Sequence, residues 1–182
     1  MKVSKILKIV GVLFLFIISG LIYVSFLNPA SPRGSSELVK ESLVMEVDYS
    51  RPFKKERLIF GELSDGALVP FNNYWRLGAN FATTFETNES ISFAGRLIDS
   101  GKYRMYAVPY KDSWKITLNT DAGAFGYMEP DYDNDLISVN VSSNQMTETV
   151  EQLTIDFIDD SLGTSIRIRW DSTLVLIPLN YL

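Results

Sequence analysis

The sequence predicts an all-β protein, an antiparallel β-sandwich of jelly-roll type, preceded by one N-terminal transmembrane helix. Three observations predict it. Apolar residues recur with a period of two through most of the chain; glycine, asparagine and aspartate interrupt those runs at hairpin spacing; and one long uncharged stretch lies close to the amino terminus.

Residues 1–8 form a basic tail carrying Lys2, Lys5 and Lys8, and 9–27 read IVGVLFLFIISGLIYVSFL, nineteen residues without a charge. As a helix this stretch would extend about 28 Å at roughly 1.5 Å per residue, close to the thickness of a bilayer's hydrocarbon layer. The positive-inside rule then places the lysines in the cytoplasm and everything after Leu27 outside it, in the periplasm or its equivalent, on a single-pass anchor in the cell membrane. A cleaved signal peptide is the competing reading. It fits less well, because the apolar run is long and Asn28 and two prolines stand around Ala30 where small residues are required. Residues 28–40, beginning NPASPRGSS, read as an extended tether.

The remaining span, 41–182, is expected to be the sandwich. Trp114, Ile116 and Leu118 alternate with polar residues, as do Ile137, Val139 and Val141, then Leu153, Ile155 and Phe157, and finally Ile166, Ile168 and Trp170. Each run predicts a strand with one buried face. The run LVLIPL at 174–179 is apolar on both faces and predicts a strand covered on both sides. Ala94-Gly95, Asp99-Ser100-Gly101, Lys111-Asp112 and Ser161-Leu162-Gly163 supply the turns.

Composition excludes several chemistries. The chain has no cysteine and no histidine, which removes disulfides, thiolate nucleophiles, the Ser-His-Asp and Cys-His arrangements and the commonest zinc ligand. Residues 1–40 carry five Lys or Arg and one Glu, a net +4, so a total of −5 leaves −9 on 41–182. An acidic body is a poor partner for nucleic acid, whose binding rests on cationic side chains. No cofactor and no metal are expected, and no catalytic residue is assigned.

Several short motifs follow one another in order: SPRGS at 31–35, DYSRP at 48–52, RLIFG at 57–61, LVPFNNYWRLGAN at 68–80, ATT at 82–84, GKYRMYAVP at 101–109 and TIDF at 154–157. Together these resemble the bacterial envelope proteins called domain of unknown function 2911, over nearly all of Ser31 to Pro178. The resemblance implies an exported β-rich domain with no established activity. Leu77 and Phe81 stand where such proteins tend to carry polar and acidic residues, so no hydrogen-bonding role is carried over to them. KKER at 54–57 and a longer loop at Ser64 to Ala67 are further departures.

Four groups of residues could carry chemistry. In YWRLGAN, Trp75 offers a flat face, Arg76 a forked donor and Asn80 both a donor and an acceptor, which would suit an anionic or glycan ligand. The same residues also suit a core tryptophan, a glycine turn at Gly78 and a loop asparagine, and this structural reading is preferred for all but Arg76. Arg33, Tyr49, Arg51 and Arg76 would form an anion site if their segments adjoin. EPDYDNDL at 129–136 places Asp131, Asp133 and Asp135 in alternation, but Leu136 and Ser142 stand where a calcium loop of the EF-hand type needs Gly and Glu, so an acidic surface turn is expected. Glu129, Asp156, Asp159 and Asp160 could serve a glycan hydrolase only if two of them faced each other at about 5–9 Å. The sequence therefore predicts a membrane-anchored binding or interaction module of the cell envelope, with Trp75, Arg76, Asn80, Arg51, Tyr49 and Arg33 as candidate ligand-binding residues. The anionic or glycan ligand has an envelope protein partner as its alternative, and a hydrolase of envelope glycans or a structural subunit of a membrane complex are the other readings.

Overall fold

The computed structural model of the chain describes residues 3–23, 30–123, 126–161 and 163–181. It contains two compact units, Met1–Pro32 and Arg33–Leu182. In the first, helix α1 runs from Val3 to Ile22. It begins inside the basic tail and includes Lys5 and Lys8, so its longest uncharged stretch is the fourteen residues from Ile9 to Ile22. At 1.5 Å per residue they extend about 21 Å, short of the ~30 Å a spanning helix must cover. Among the described residues no helix is long and apolar enough to cross a membrane. The transmembrane helix expected over 9–27 is therefore corrected: no such helix is present among the described residues. The latter part of that run, 24–27, lies outside the described residues.

The second unit is β-rich, as expected. Its strands are β1 (Arg33–Lys40), β2 (Leu43–Ser50), β3 (Phe60–Gly61), β4 (Val69–Pro70), β5 (Thr83–Thr87), β6 (Ile91–Phe93), β7 (Arg96–Ile98), β8 (Gly101–Pro109), β9 (Ser113–Asn119), β10 (Asp135–Asp160) and β11 (Gly163–Tyr181). The stretch 33–40, expected as tether, is β1, hydrogen-bonded along its length to β2. Nine strands form one antiparallel sheet in the order β1-β2-β5-β8-β9-β10-β11-β6-β7, and β3 and β4 make a short parallel pair. The expected pair of separate sheets is thus a single sheet that closes over itself.

The two long strands make that closure possible. β10 shifts register between Gln145 and Val150 and again between Val150 and Thr154, and opposite Val150 lies Asp171 of β11 in a left-handed conformation, φ 54°. Extra residues of this kind bend a strand and increase its twist. Beyond the bend the far half of β10 reaches the first strands. Tyr49 Oη accepts from the Ile155 N–H at 2.9 Å, the Leu153 N–H donates to the Pro52 carbonyl at 3.0 Å, and Lys40 pairs with Asp159 at 2.5 Å. Turns follow the sequence: Ala94 and Gly95, both at positive φ, join β6 to β7 as a two-residue hairpin. LVLIPL at 174–179 is half-buried rather than covered on both sides, with Leu174 and Leu176 partly accessible and Pro178 exposed.

The core collects the inward positions of the alternating runs. At its centre Phe60, Trp75, Trp114 and Trp170 meet with ring centroids 5.1–6.1 Å apart, Trp75 stacked on Trp170 and edge-on to Trp114. Such pairs contribute roughly 0.5–1.5 kcal/mol each beyond the area they bury.

Gly78 lies where the segment after β4 passes β2. A Cβ there would stand 2.8 Å from the Ser50 carbonyl oxygen, a backbone atom with little freedom to yield. Gly78→Ala should therefore lower stability by about 1–3 kcal/mol, the usual result of overpacking, and reduce the urea midpoint without altering the slope of the transition.

Candidate functional site

The segment 71–80 takes up the position beside β8 that β5 vacates. Trp75 forms an antiparallel bridge to Ala107, its N–H donating to the Ala107 carbonyl at 2.8 Å and its own carbonyl accepting from the Ala107 N–H at 2.9 Å. With a period of two, Trp75 and Leu77 then turn into the core, at 7% and 0% exposure, while Tyr74 and Arg76 face outward. Leu77 adopts φ 59°, and its carbonyl accepts from Thr83 Oγ1 at 2.8 Å. Trp75 is a core residue and offers no face to a ligand. Asn80 is exposed at φ 57°, a conformation asparagine tolerates.

The other expected members separate. Tyr49 is buried, and its hydroxyl satisfies the Ile155 N–H; burial raises its pKa above the ordinary tyrosine value. Arg51 lies against β10, with Nε donating to the Leu153 carbonyl and Nη2 to Thr154 Oγ1, both at 3.2 Å. Both residues fasten the closed sheet. Arg33 is exposed at the same end of β1, opposite Ser50 in the register, its guanidinium 5.6 Å from the centre of the Phe81 ring, and Arg76 lies 5.3 Å from the centre of the Tyr127 ring. The segments of Arg33, Arg51 and Arg76 do adjoin, with Arg33 opposite Ser50 and Gly78 against it, but the three guanidinium groups engage different partners: the Phe81 ring, the Leu153 carbonyl with Thr154, and the Tyr127 ring.

A different arginine occupies the middle of the outer face. In GKYRMYAVP, Tyr103, Met105 and Ala107 point into the core, so Arg104 and Tyr106 point away from it, yet they are only 1% and 2% exposed. Residues 126–135 cover them. Arg104 Nη2 donates to the Tyr74 hydroxyl and to the Met128 carbonyl, both at 2.6 Å. The Tyr106 hydroxyl donates to Asp135 Oδ2 at 2.7 Å, and Asn119 Nδ2 donates to Asp135 Oδ1 and to the Asp131 carbonyl, both at 2.8 Å. Burial first, and then the bond to Asp135, raises the Tyr106 phenol well above its ordinary value. In the same loop burial and the bond to Glu129 push Tyr132 up to about 12.

Arg104 is not fully satisfied. A guanidinium carries five N–H groups, and those on Nε and Nη1 are buried without a hydrogen-bond partner among the described residues. Among the described residues no carboxylate stands within ion-pair distance of Arg104, Arg76 or Arg33. Beside Arg104 on the adjacent strand, Thr84 is its register partner and forms part of a surface depression of about 390 Å³. Arg33, Asp48, Phe81, Lys102 and Gly123 also line it. Lys102 bridges Glu86 at 3.1 Å and Asp48 at 3.9 Å.

The carboxylates considered for metal binding or hydrolysis are engaged in other contacts. Asp131 caps a short turn by accepting from the Asp133 N–H, and Glu129 accepts from Tyr132. Asp156 is held by Arg167 and Arg169, and Asp159 by Lys40 and Thr164, which keep Asp159 below the ordinary carboxylate range. Among the described residues no three acidic side chains gather as a metal ligand set.

Fold and site together define a β-domain with an apolar core and a second, polar layer on the outer face of its sheet. The chain belongs to the DUF2911 family, proteins of unknown function, whose family model matches residues 31–179. No curated protein and no solved structure matches it.

Sequence reasoning passed over Arg104, although its signal was present: an arginine enclosed by YRMYA in a strand whose neighbours are mostly apolar.

Two outcomes follow. Tyr49→Phe leaves the buried Ile155 N–H unpaired and should cost about 1–3 kcal/mol in a denaturant titration. Tyr106 and Tyr132 hold their protons more tightly folded than unfolded, where tyrosine titrates near 10. The stability they contribute is whole below pH 10 and is lost as pH rises toward and beyond 12. The melting temperature should therefore fall across pH 10–12, and less steeply in the Tyr106→Phe/Tyr132→Phe variant.

Proposed function

We propose that this domain is a binding module, and that its ligand lies in the depression beside Thr84 on the outer face of the sheet. The observation that carries this reading is the lining itself. Arg33 rests against the exposed ring of Phe81, Lys102 supplies a second cation, and Thr84 and Asp48 offer hydroxyl and carboxylate oxygens, all around about 390 Å³. This combination suits a small ligand with an anionic group and an apolar or planar part, since a few polar groups orient such a ligand while the apolar surface holds it. A volume of this size falls within the usual range for small-molecule sites. The aromatic partner is Phe81 and not Trp75, which the core uses.

The hydrolase reading has less support. A glycosidase needs one carboxyl group free to hold a proton and a second facing it, whereas Asp156 and Asp159 are each bound by cations.

Titration calorimetry of the full chain against a panel of organic anions and neutral sugars tests the reading. An anion from the panel should bind, and Arg33→Ala should weaken it about tenfold, the loss expected of one charge-assisted hydrogen bond. Binding of neutral sugars alone, or binding unchanged by Arg33→Ala, would contradict it.

A further inference from the structure

We propose that Arg104 is the charge-binding centre of this face, and that the ligand's anionic group is an oxyanion, a carboxylate or a phosphate, that pairs with its Nε and Nη1 hydrogens. The inference rests on the reading of the outer face as the binding face and adds the chemistry of the group bound.

The argument begins from what a buried guanidinium requires. Arginine stays protonated in a protein, so Arg104, 1% exposed, is a permanent charge removed from water. Such a charge is ordinarily compensated by a carboxylate and by hydrogen bonds to all its N–H groups. Arg104 has neither. Nη2 uses its two hydrogens on the Tyr74 hydroxyl and the Met128 carbonyl, both uncharged acceptors, which leaves the one hydrogen of Nε and the two of Nη1 unmatched. The ring of Tyr74, 5.9 Å from the guanidinium carbon, adds a weak cation–π contact and no negative charge.

The carboxylates nearest along the strand register are already committed. Asp135 follows Asn119, which follows Arg104, across the β8-β9-β10 ladder, and its two oxygens accept from Tyr106 and Asn119. On the opposite side Asp48 follows Thr84 and pairs weakly with Lys102. The row Asp48, Thr84, Arg104, Asn119, Asp135 therefore has its unmatched donors in the middle and its depression beside Thr84. Arg104 itself does not line the depression, so in this proposal an oxyanion held beside Thr84 has to pass that residue to reach the donors left unmatched. Two anchors of the overlying segment are themselves tied to this row, Met128 to Arg104 and Asp131 to Asn119, so an anion that engages Arg104 also acts on the cover.

The test uses the full chain, with sodium phosphate and sodium acetate as probes against sodium chloride at equal ionic strength. In ¹⁵N-edited spectra of arginine side chains, assigned through bonds from the backbone of the wild-type chain, the Arg104 Nε–Hε signal should move saturably with phosphate or acetate and not with chloride. The melting temperature should rise over the same concentration range, and Arg104→Lys should weaken the response at least tenfold. The more effective probe identifies the oxyanion as phosphate or carboxylate. An Arg104 signal unmoved by both probes overturns the inference, and because that measurement is made on the wild-type chain it stands even where the variant does not fold. A response in Arg104→Lys equal to wild type also overturns it, since the ions then act elsewhere. Failure of the two readings can be told apart. A probe response abolished by Arg33→Ala with a silent Arg104 signal retains the depression and removes Arg104, whereas a moving Arg104 signal with an unaffected Arg33→Ala variant supports Arg104 and removes the depression.

Discussion

The antiparallel bridge between Trp75 and Ala107 is the constraint on which the rest of the structure depends. Its two backbone hydrogen bonds dock an otherwise irregular segment as a short substitute strand next to β8. Strand pairing then dictates direction: one side chain inward, the next outward. Trp75 enters the core and completes the cluster with Phe60, Trp114 and Trp170, joining side chains from β3, β9 and β11. Tyr74 goes outward and accepts from Arg104. One bridge therefore sets both the centre of the core and one wall of the polar layer.

That polar layer is the unusual part of the design. Most antiparallel sheets that bury one face leave the other to water. Here the outer face carries Thr84, Arg104, Tyr106, Thr117 and Asn119 at low exposure, under a covering segment anchored by hydrogen bonds. Burial of polar groups is tolerable only when they are paired, and Asn119 and Tyr106 meet that condition. Arg104 meets it in part. Arg169 also leaves its Nε without a partner, but it pairs with Asp156, whereas Arg104 leaves both Nε and Nη1 unmatched with no carboxylate beside it among the described residues.

The strands and turns were legible because they depend on local pattern. Trp114, Ile116 and Leu118 declare a buried face by spacing alone, and Ala94-Gly95 declares a hairpin by its tolerance of positive φ. The structural role of Trp75 was legible for the same reason. What was not legible depends on contacts distant in sequence. Nothing local indicates that β10 and β11 bend together at Val150 and Asp171, so two sheets were expected where one closes on itself. Nothing local indicates that Arg51 spends its donors on Leu153 and Thr154, more than a hundred residues away. The hydropathy of 9–27 was plain, but helix limits and charge position, with Lys5 and Lys8 inside α1, determine how much apolar helix there is.

The charge distribution bears on how the proposed site would select a ligand. The body is acidic, and no Lys or Arg falls between Lys115 and Arg167, so the segment covering Arg104 carries Glu129, Asp131 and Asp133 without a cation of its own. Those carboxylates would neutralise Arg104 if they pointed at it. Instead, Asp131 accepts from the Asp133 N–H, Glu129 from Tyr132, and Asp135 from Tyr106 and Asn119. Acidic side chains thus surround the site while Arg104 Nε and Nη1 have no acceptor among the described residues. Long-range repulsion of this kind slows the approach of anions in general, whereas short-range donors in a low-dielectric setting favour one that fits. An acidic surface and an anion-binding centre are compatible because one acts over a Debye length and the other over a hydrogen bond. Added salt, which screens the first and hardly touches the second, separates them.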